Sequence, residues 1–326
     1  MLKPNGGTVF TKISLLGFAL ILLVLSVPFL VGNRYIFHIA IIAMMNLLLV
    51  TGLFIMTGLT GQMNLGQASL WAIGAYGYSI SVRAGLSFPA AFAVVIVLGV
   101  VSGLVLGLPT MKVSGVYFSM VTVGFGEITR IVLLNWQKLT GGGLGIRDIP
   151  KPTVFGYAFS TTSDMFVFAL AVAIPCMVFT LFLFRSNLGL ALKASGSNRT
   201  VSEAIGVNTF NMRIVAIVLN AVFAGLAGII YSVYYGMLHP DAFTSGVSFS
   251  LIQMLVVGGI HSFPGILLMT PILSIAFEYL RAFGEYQVII YAVIVLFCVI
   301  FCPIGVGGRV EKSVRSYFAG KTAVGS

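Results

Sequence analysis

The stretch Gly58-Leu-Thr-Gly61-Gln62-Met-Asn64-Leu-Gly66-Gln67 decides how this chain folds. An apolar run from Ile36 to about Thr57 precedes it, and a second apolar stretch continues to Val82, where Arg83 closes it. The ten residues between are too polar and too rich in glycine for a lipid-facing helix. Irregular backbone survives at membrane depth only when it is buried in protein or lines a wet cavity. The stretch therefore predicts an interrupted spanning helix, held inside a bundle of others.

Composition supplies that bundle. Of 326 residues, 59% are hydrophobic and only 8% charged, against roughly 25% charged in a soluble domain. Mean hydropathy is +1.08. Eighteen basic and eight acidic side chains cannot cover a water-facing surface of this size, so most of it faces lipid. Each span needs about 20 mainly apolar residues. The runs read as 13–31, 36–57, the interrupted stretch to 82, then 89–108, 116–134, 165–184, 214–235, 249–260, 266–283 and 288–301. The first has no A-x-A cleavage site and is long for a signal sequence, so it reads as an uncleaved span. The third and eighth are the least regular, because Gly, Gln and Asn interrupt them. The fold class expected is an all-α integral membrane protein, a polytopic bundle of about 8–10 transmembrane helices with interrupted helices, in one domain over 1–326.

Ten crossings put both termini on one side. That side carries Lys3, Lys12, Lys112, Arg185, Lys193, Arg199, Arg213, Arg309, Lys312, Arg315 and Lys321; the other has Arg34, Arg83, Lys138, Arg147 and Lys151. The positive-inside rule then predicts cytoplasmic termini and a cytoplasmic tail over about 307–326. Two loops are long: an external one, 135–163, and a cytoplasmic one, 185–213.

The net charge of +10 does not mark a nucleic-acid binder, since the basic residues sit between apolar runs. No phosphate-binding G-x-x-x-x-G-K-[ST], H-E-x-x-H or G-x-S-x-G occurs, so no catalytic residue and no ATPase site is expected. Cys176, Cys298 and Cys302 lie in apolar stretches and read as small buried hydrophobes. His38, His239 and His261 are scattered at span ends, suited to interfacial or capping roles, and no metal site is expected. Only Glu127 and Glu278 are acidic within spans, and each has an arginine three residues on, Arg130 and Arg281. Positions i and i+3 share a helix face, so each pair can neutralise itself, as a structural site or a gate. Self-paired carboxylates are poor proton carriers, which weighs against a stand-alone secondary transporter or channel.

The cytoplasmic loop holds one short predicted helix between Asn198 and Val207. Asn198 or Thr200 would cap it, with Glu203 placed as in a capping box. Val201, Ala204 and Ile205 make an apolar face, and Gly206 stops the helix. Such a helix suits a groove on another protein or an anionic lipid surface. The residues suited to a solute path lie at the interrupted runs: Gln62, Asn64 and Gln67 in one, Gln253, Gly258 and Gly259 in the other. Broken hydrophobic segments are a pointer to transport sites; close helix packing with interhelical hydrogen bonds explains the same residues.

At Arg199, Glu203, Ala204 and Gly206 the loop resembles the ATPase-coupling motif of ABC-importer permeases. The likeness extends to the branched-chain amino acid permeases. It is carried by Gly58–Ala68, Ile73-Gly74-Ala75-Tyr76, Gly107-Leu-Pro109, Gly115-x-Tyr117-Phe118, Val121–Glu127 with Arg130, Asn135 and Thr140-Gly141-Gly142. It continues through Ala221-x-x-Ala224-Gly225-x-Ala227-Gly228, His239-Pro240-x-x-Phe243, Ser248, Gly258-Gly259 and Pro303-x-Gly305. The resemblance implies a permease of the bacterial cytoplasmic membrane that carries leucine, isoleucine or valine. A sister permease would share the path, and two ATP-binding-cassette subunits would hold ATP-Mg, with no cofactor on this chain. A solute-binding protein would deliver from outside. Similar permeases carry urea or short amides.

Overall fold

The computed structural model describes residues 32–110, 113, 115–154, 157–159, 161–302, 305, 306, 308 and 309. The run 13–31 and the tail beyond 309 lie outside them, as do six of the basic residues in the sidedness count: Lys3, Lys12, Lys112, Lys312, Arg315 and Lys321.

Eleven helices are labelled here in chain order: α1 (Arg34–Leu53), α2 (Gln67–Arg83), α3 (Phe88–Thr110), α4 (Val116–Asn135), α5 (Thr162–Arg185), α6 (Asn187–Ser197), α7 (Arg199–Ala204), α8 (Thr209–Tyr235), α9 (Ser245–Gly258), α10 (Phe263–Leu280) and α11 (Gln287–Phe301). Among the described residues, seven stretches are long and apolar enough to cross a membrane: Arg34–Leu59, Phe88–Thr110, Val116–Asn135, Thr162–Arg185, Thr209–Tyr235, Pro240–Gly258 and Phe263–Gly284. A shorter apolar helix, Ile289–Phe301, follows. The fold is an all-α polytopic membrane bundle. Its β content is a two-residue-per-strand hairpin in the 135–163 loop, β1 (Thr153–Val154) against β2 (Tyr157–Ala158), which the apolar pattern does not announce.

The interruption falls where the sequence puts it, with one refinement. α1 runs into a π-helical turn, Phe54–Leu59, and coil then separates it from α2. A π turn opens the i→i−4 ladder and is common at functional sites. α2 carries several polar side chains among its apolar ones, and thirteen of its seventeen residues are buried. Protein rather than lipid surrounds it, so its serines, tyrosines and Gln67 are tolerated.

Contacts cluster in two units, 44–252 and a second made of the two chain ends, 1–43 and 253–326. In the first, α8 packs on α3 through one seam of glycines. A Cβ on Gly99 would lie 2.9 Å from Val222 Cα, one on Gly103 2.8 Å from Val218 Cα, and one on Gly107 2.7 Å from Ile217. The numbers descend on α8 as they rise on α3, so the two are antiparallel. α8 runs parallel to α2 by the same logic. Gln67 meets Asn220, Gly74 meets Gly225, where a Cβ would come within 2.2 Å of Cα, and Ser232 donates to the Ala75 carbonyl. Lipid offers no hydrophobic drive for this association, so close backbone approach and dispersion hold it.

In the unit of chain ends, α10 turns into α11 through a 3₁₀ segment, Arg281–Tyr286, with Phe277 edge-on to Tyr291 at 5.0 Å. Gly258 and Gly259 form the tight turn between α9 and α10. Gly259 has φ +101°, and a Cβ on Gly258 would lie 2.9 Å from Ile266 Cα. Gly305 closes against Gly259, where a Cβ would meet Cα at 2.5 Å.

Candidate coupling corner and interrupted span

The loop 185–213 folds into two helices. α6, which the sequence reading left as loop, is capped by Ser186, whose Oγ accepts from Gly189 N at 3.1 Å. α7 is capped by Asn198, whose Oδ1 accepts from Val201 N at 3.2 Å. Thr200 is not the cap, and the expected capping box is absent. Glu203 is engaged elsewhere: its Oε1 accepts from Thr209 Oγ1 at 2.7 Å and from Arg199 Nε at 2.9 Å. Those two bonds, Thr209 first, hold the Glu203 carboxyl below the usual carboxylate range. Gly206 ends the corner with φ +85°, the left-handed conformation that glycine adopts without steric cost.

The orientation of α7 follows from Ser202, which the sequence reading did not single out. Ser202 is buried and donates to the carbonyls of Ala194 at 2.6 Å and Asn198 at 2.8 Å. Anchored there, the helix turns Val201 and Ile205 outward, 58% and 70% exposed. Ala204 is exposed beside them. A shallow depression of about 320 Å³ adjoins it, lined by Glu203, Gly206, Val207, Asn208, Thr209 and Phe210.

This corner touches the interrupted span. Gly196 at the end of α6 lies on its backbone, where a Cβ would come within 2.4 Å of the Leu59 carbonyl oxygen. One turn beyond Thr209, Arg213 reaches Gln62. With the Gln62 oxygen turned toward it, the guanidinium donates from Nη1 at 2.9 Å and Nε at 3.2 Å.

The interruption itself is a buried polar network. Gln67 Oε1 accepts from Asn220 Nδ2 at 2.9 Å and Asn64 Nδ2 at 3.3 Å, and its Nε2 donates to the Leu49 carbonyl at 3.2 Å. Asn64 Oδ1 accepts from Gly66 N at 2.9 Å. From α4, Thr122 Oγ1 accepts from Leu65 N at 3.0 Å, and Ser119 donates to the Met63 carbonyl at 2.9 Å. From α9, Ser248 Oγ accepts from Ala68 N at 2.9 Å. Backbone groups that a helix would pair are thus paired by side chains. Gln62, Asn64 and Gln67 are 3%, 0% and 0% exposed, so the structure brings these three together in protein. Gln253 is half-buried on α9, and Gly258 and Gly259 make the α9–α10 turn; all three belong to the other unit. Ser119 and Asn220 carry no sequence signal beyond a lone polar residue on an otherwise apolar helix, and Thr122 and Ser248 enter the sequence reading only as residues of the family resemblance.

Both Glu-x-x-Arg pairs form, and both are larger than expected. Arg130 Nε donates to Glu127 at 3.0 Å and Nη1 to Asp241 at 3.2 Å, while Ser245 Oγ donates to the other Glu127 oxygen. Arg281 Nη1 donates to Glu278 at 3.3 Å, with His38 Nε2 3.8 Å from the same oxygen. His239 caps the turn Pro240–Phe243, its Nδ1 accepting from Asp241 N at 3.3 Å.

Comparison with known proteins now has a geometry to explain. The family model for the permease component of branched-chain amino acid transport systems matches residues 35–302. The chain belongs to that family. The high-affinity branched-chain amino acid permease LivM of Escherichia coli is 32% identical over 92% of this chain and 76% of its own. The permease LivH of the same organism is 26% identical over 56% of this chain and 61% of its own. The autoinducer 2 import permease LsrC of Salmonella paratyphi B is 28% identical over 64% of this chain and 59% of its own. No solved structure matches. The matched region of this permease takes in the coupling corner, the interrupted span and the Glu127 cluster.

Proposed function

We propose that this permease is one of two membrane subunits of an ATP-driven importer for leucine, isoleucine and valine. A sister permease completes the path, two cassette ATPases bind ATP-Mg beneath it, and a solute-binding protein delivers from outside. The chain carries no nucleotide motif of its own, so the energy comes from a partner. The reading places both termini and the α6–α7 corner in the cytoplasm of a bacterium, where the basic residues concentrate.

One observation carries the reading: α7 is fixed to its own protein by Ser202 and Glu203 while Val201 and Ile205 project outward. A stand-alone carrier has no use for a rigid helix presented this way; a transmission element does. ATPase closure would press on α7, and Gly196 and Arg213 would pass the movement to the π turn and the interrupted span. Such coupling requires contacts that differ between two states. The path residues are those at the interruption, Gln62, Asn64 and Gln67, with Gln253, Gly258 and Gly259. The Glu127–Arg130 and Glu278–Arg281 pairs brace or gate it.

The test is Glu203→Arg in the complete transporter reconstituted in proteoliposomes. The variant breaks the bonds to Thr209 and Arg199, and ATP hydrolysis is expected to continue while leucine uptake falls at least about tenfold, which corresponds to a coupling loss of about 1.4 kcal/mol. Normal uptake at normal subunit content removes the coupling assignment.

A further inference from the structure

Glu127 sits deep along α4 with Arg130 one turn beyond it, and Asp241 meets Arg130 from the Pro240–Phe243 turn at the start of the span Pro240–Gly258. Glu127 lies eleven residues into the twenty of α4, about 17 Å along a helix of about 30 Å. A second register agrees. Ser245, which reaches Glu127, is one turn from Ser248, which bonds Ala68. The adjacent Gln67 bonds Asn220, eleven residues into the twenty-seven of α8. At this depth the Glu127 and Arg130 side chains are still 39% and 28% exposed, and Asp241, which joins them from the start of its span, is 59% exposed.

Charges so placed do not face acyl chains, where each costs about 2.5–3.5 kcal/mol or more; they face water or protein. α4 agrees, being mostly exposed along its length and among the least apolar of the seven. α3 is the contrast: its exposed side chains include Val97, Val101, Val105 and Leu108, an aliphatic lipid face. α4 also exposes apolar side chains, Met120, Ile128 and Ile131, but here the charged pair Glu127–Arg130 lies among them.

We propose that Glu127, Arg130 and Asp241 form a station in the translocation path that receives the charged head of a free α-amino acid. Two carboxylates share one guanidinium, so the cluster holds one negative charge in excess, and a substrate ammonium neutralises it. Arg130 spends one Nε and one Nη1 donor on the carboxylates; of its five N–H groups three remain for the substrate carboxylate. Met120, Ile128 and Ile131 on the same helix take the aliphatic side chain. The station therefore selects solutes with an ammonium and passes over neutral ones. This assignment rests on the amino acid importer reading above.

Gly124 gives access to the station without rebuilding it, since a Cβ there meets nothing within 4 Å. Gly124→Cys is placed in the full importer, reconstituted with its binding protein, with Cys176, Cys298 and Cys302 replaced by alanine. A charged, membrane-impermeant thiol reagent is expected to modify it. Leucine at ten times its half-saturating concentration is expected to slow modification about tenfold. The keto acid of leucine, which lacks the ammonium, should give no protection, and leucine should protect neither the Glu127→Gln nor the Asp241→Asn version. Modification only by a lipid-soluble maleimide, equal protection by leucine and its keto acid, or protection that survives both substitutions would each overturn the station. Radiolabelled leucine uptake by the parent importer separates the two readings. Uptake without protection removes the station alone, and absence of uptake removes the substrate class with it.

Discussion

Gln67 shows what one side chain contributes at the centre of the bundle. It is fully buried and serves Asn64, Asn220 and the Leu49 carbonyl at once. Gln67→Leu keeps the volume but leaves the Asn64 and Asn220 Nδ2 donors without their acceptor and without water. An orphaned buried polar group costs about 1–3 kcal/mol, so the variant is expected to lose about 3 kcal/mol or more. A clear drop in the melting midpoint of the detergent-solubilised permease checks this; a midpoint within one degree of the parent, a shift far smaller than about 3 kcal/mol produces, contradicts it. Adding Asn220→Leu removes one of the orphans, so the pair should cost less than the sum of the singles by about 0.5–3 kcal/mol, the range for residues sharing a network. The sequence announces Gln67, Asn64 and Gln62 because three amides in ten residues cannot face lipid. It does not announce Asn220, Ser119, Thr122 or Ser248. Each is a single polar residue in an apolar helix, and only the register between helices, a non-local property, brings it to the interruption.

At the scale of elements, α7 and the glycine seams make separate predictions. A depressed carboxylate contributes stability above its unfolded pKa, about 4.3 for Glu, and loses it as pH falls through the folded value. Glu203 is such a group, so the corner between α7 and α8 is expected to be constant from pH 5 to 8 and to loosen only in more acidic solution. A spin label at Ile205→Cys, on the exposed face of α7, reports it: unchanged mobility across pH 5–8 and a mobile signal only at pH below the usual carboxylate range. A rise in mobility already between pH 6 and 7 would show that another group holds the corner. The seam between α2 and α8 has no such latitude. Gly74→Val forces a branched side chain where the helices touch by backbone, since even a Cβ at Gly74 would lie 2.2 Å from Gly225 Cα. Loss of the folded, monodisperse permease is expected, while Gly124→Ala, in open space, leaves it intact. The helix of the coupling loop was legible from Asn198, its apolar positions and Gly206, because caps and stops are local. The cap at Asn198 rather than Thr200 was settled by Thr209, six residues past Glu203, which takes the carboxylate a capping box needs.

On the scale of the molecule, the unit 44–252 has two ends, and its sidedness can be measured. α8 is twenty-seven residues long, about 40 Å, and separates them. At its start, Arg213 meets Gln62 and Gly196 meets Leu59; past its end, Leu238 pairs with Ile146 in a backbone bridge, N to O distances 2.8 and 3.0 Å. The loops 142–149 and 236–239 therefore share one side, and the α6–α7 corner lies on the other, whatever the orientation in the bilayer. Charge bias supplies the orientation. Lys193, Arg199 and Arg213 lie at the corner end, with Arg185 just before α6, and Lys138, Arg147 and Lys151 at the other, so the positive-inside rule predicts a cytoplasmic α7. Ser197→Cys at the corner and Leu144→Cys, 74% exposed in the opposite loop, convert this into a labelling experiment in a background without the native cysteines. An impermeant thiol reagent is expected to reach position 144 in intact cells and position 197 only in inverted vesicles. Labelling of both from one side would break the placement of these two loops at opposite ends of α8. The reversed pattern would keep the fold but move α7 away from any cytoplasmic ATPase, and the coupling assignment would go with it.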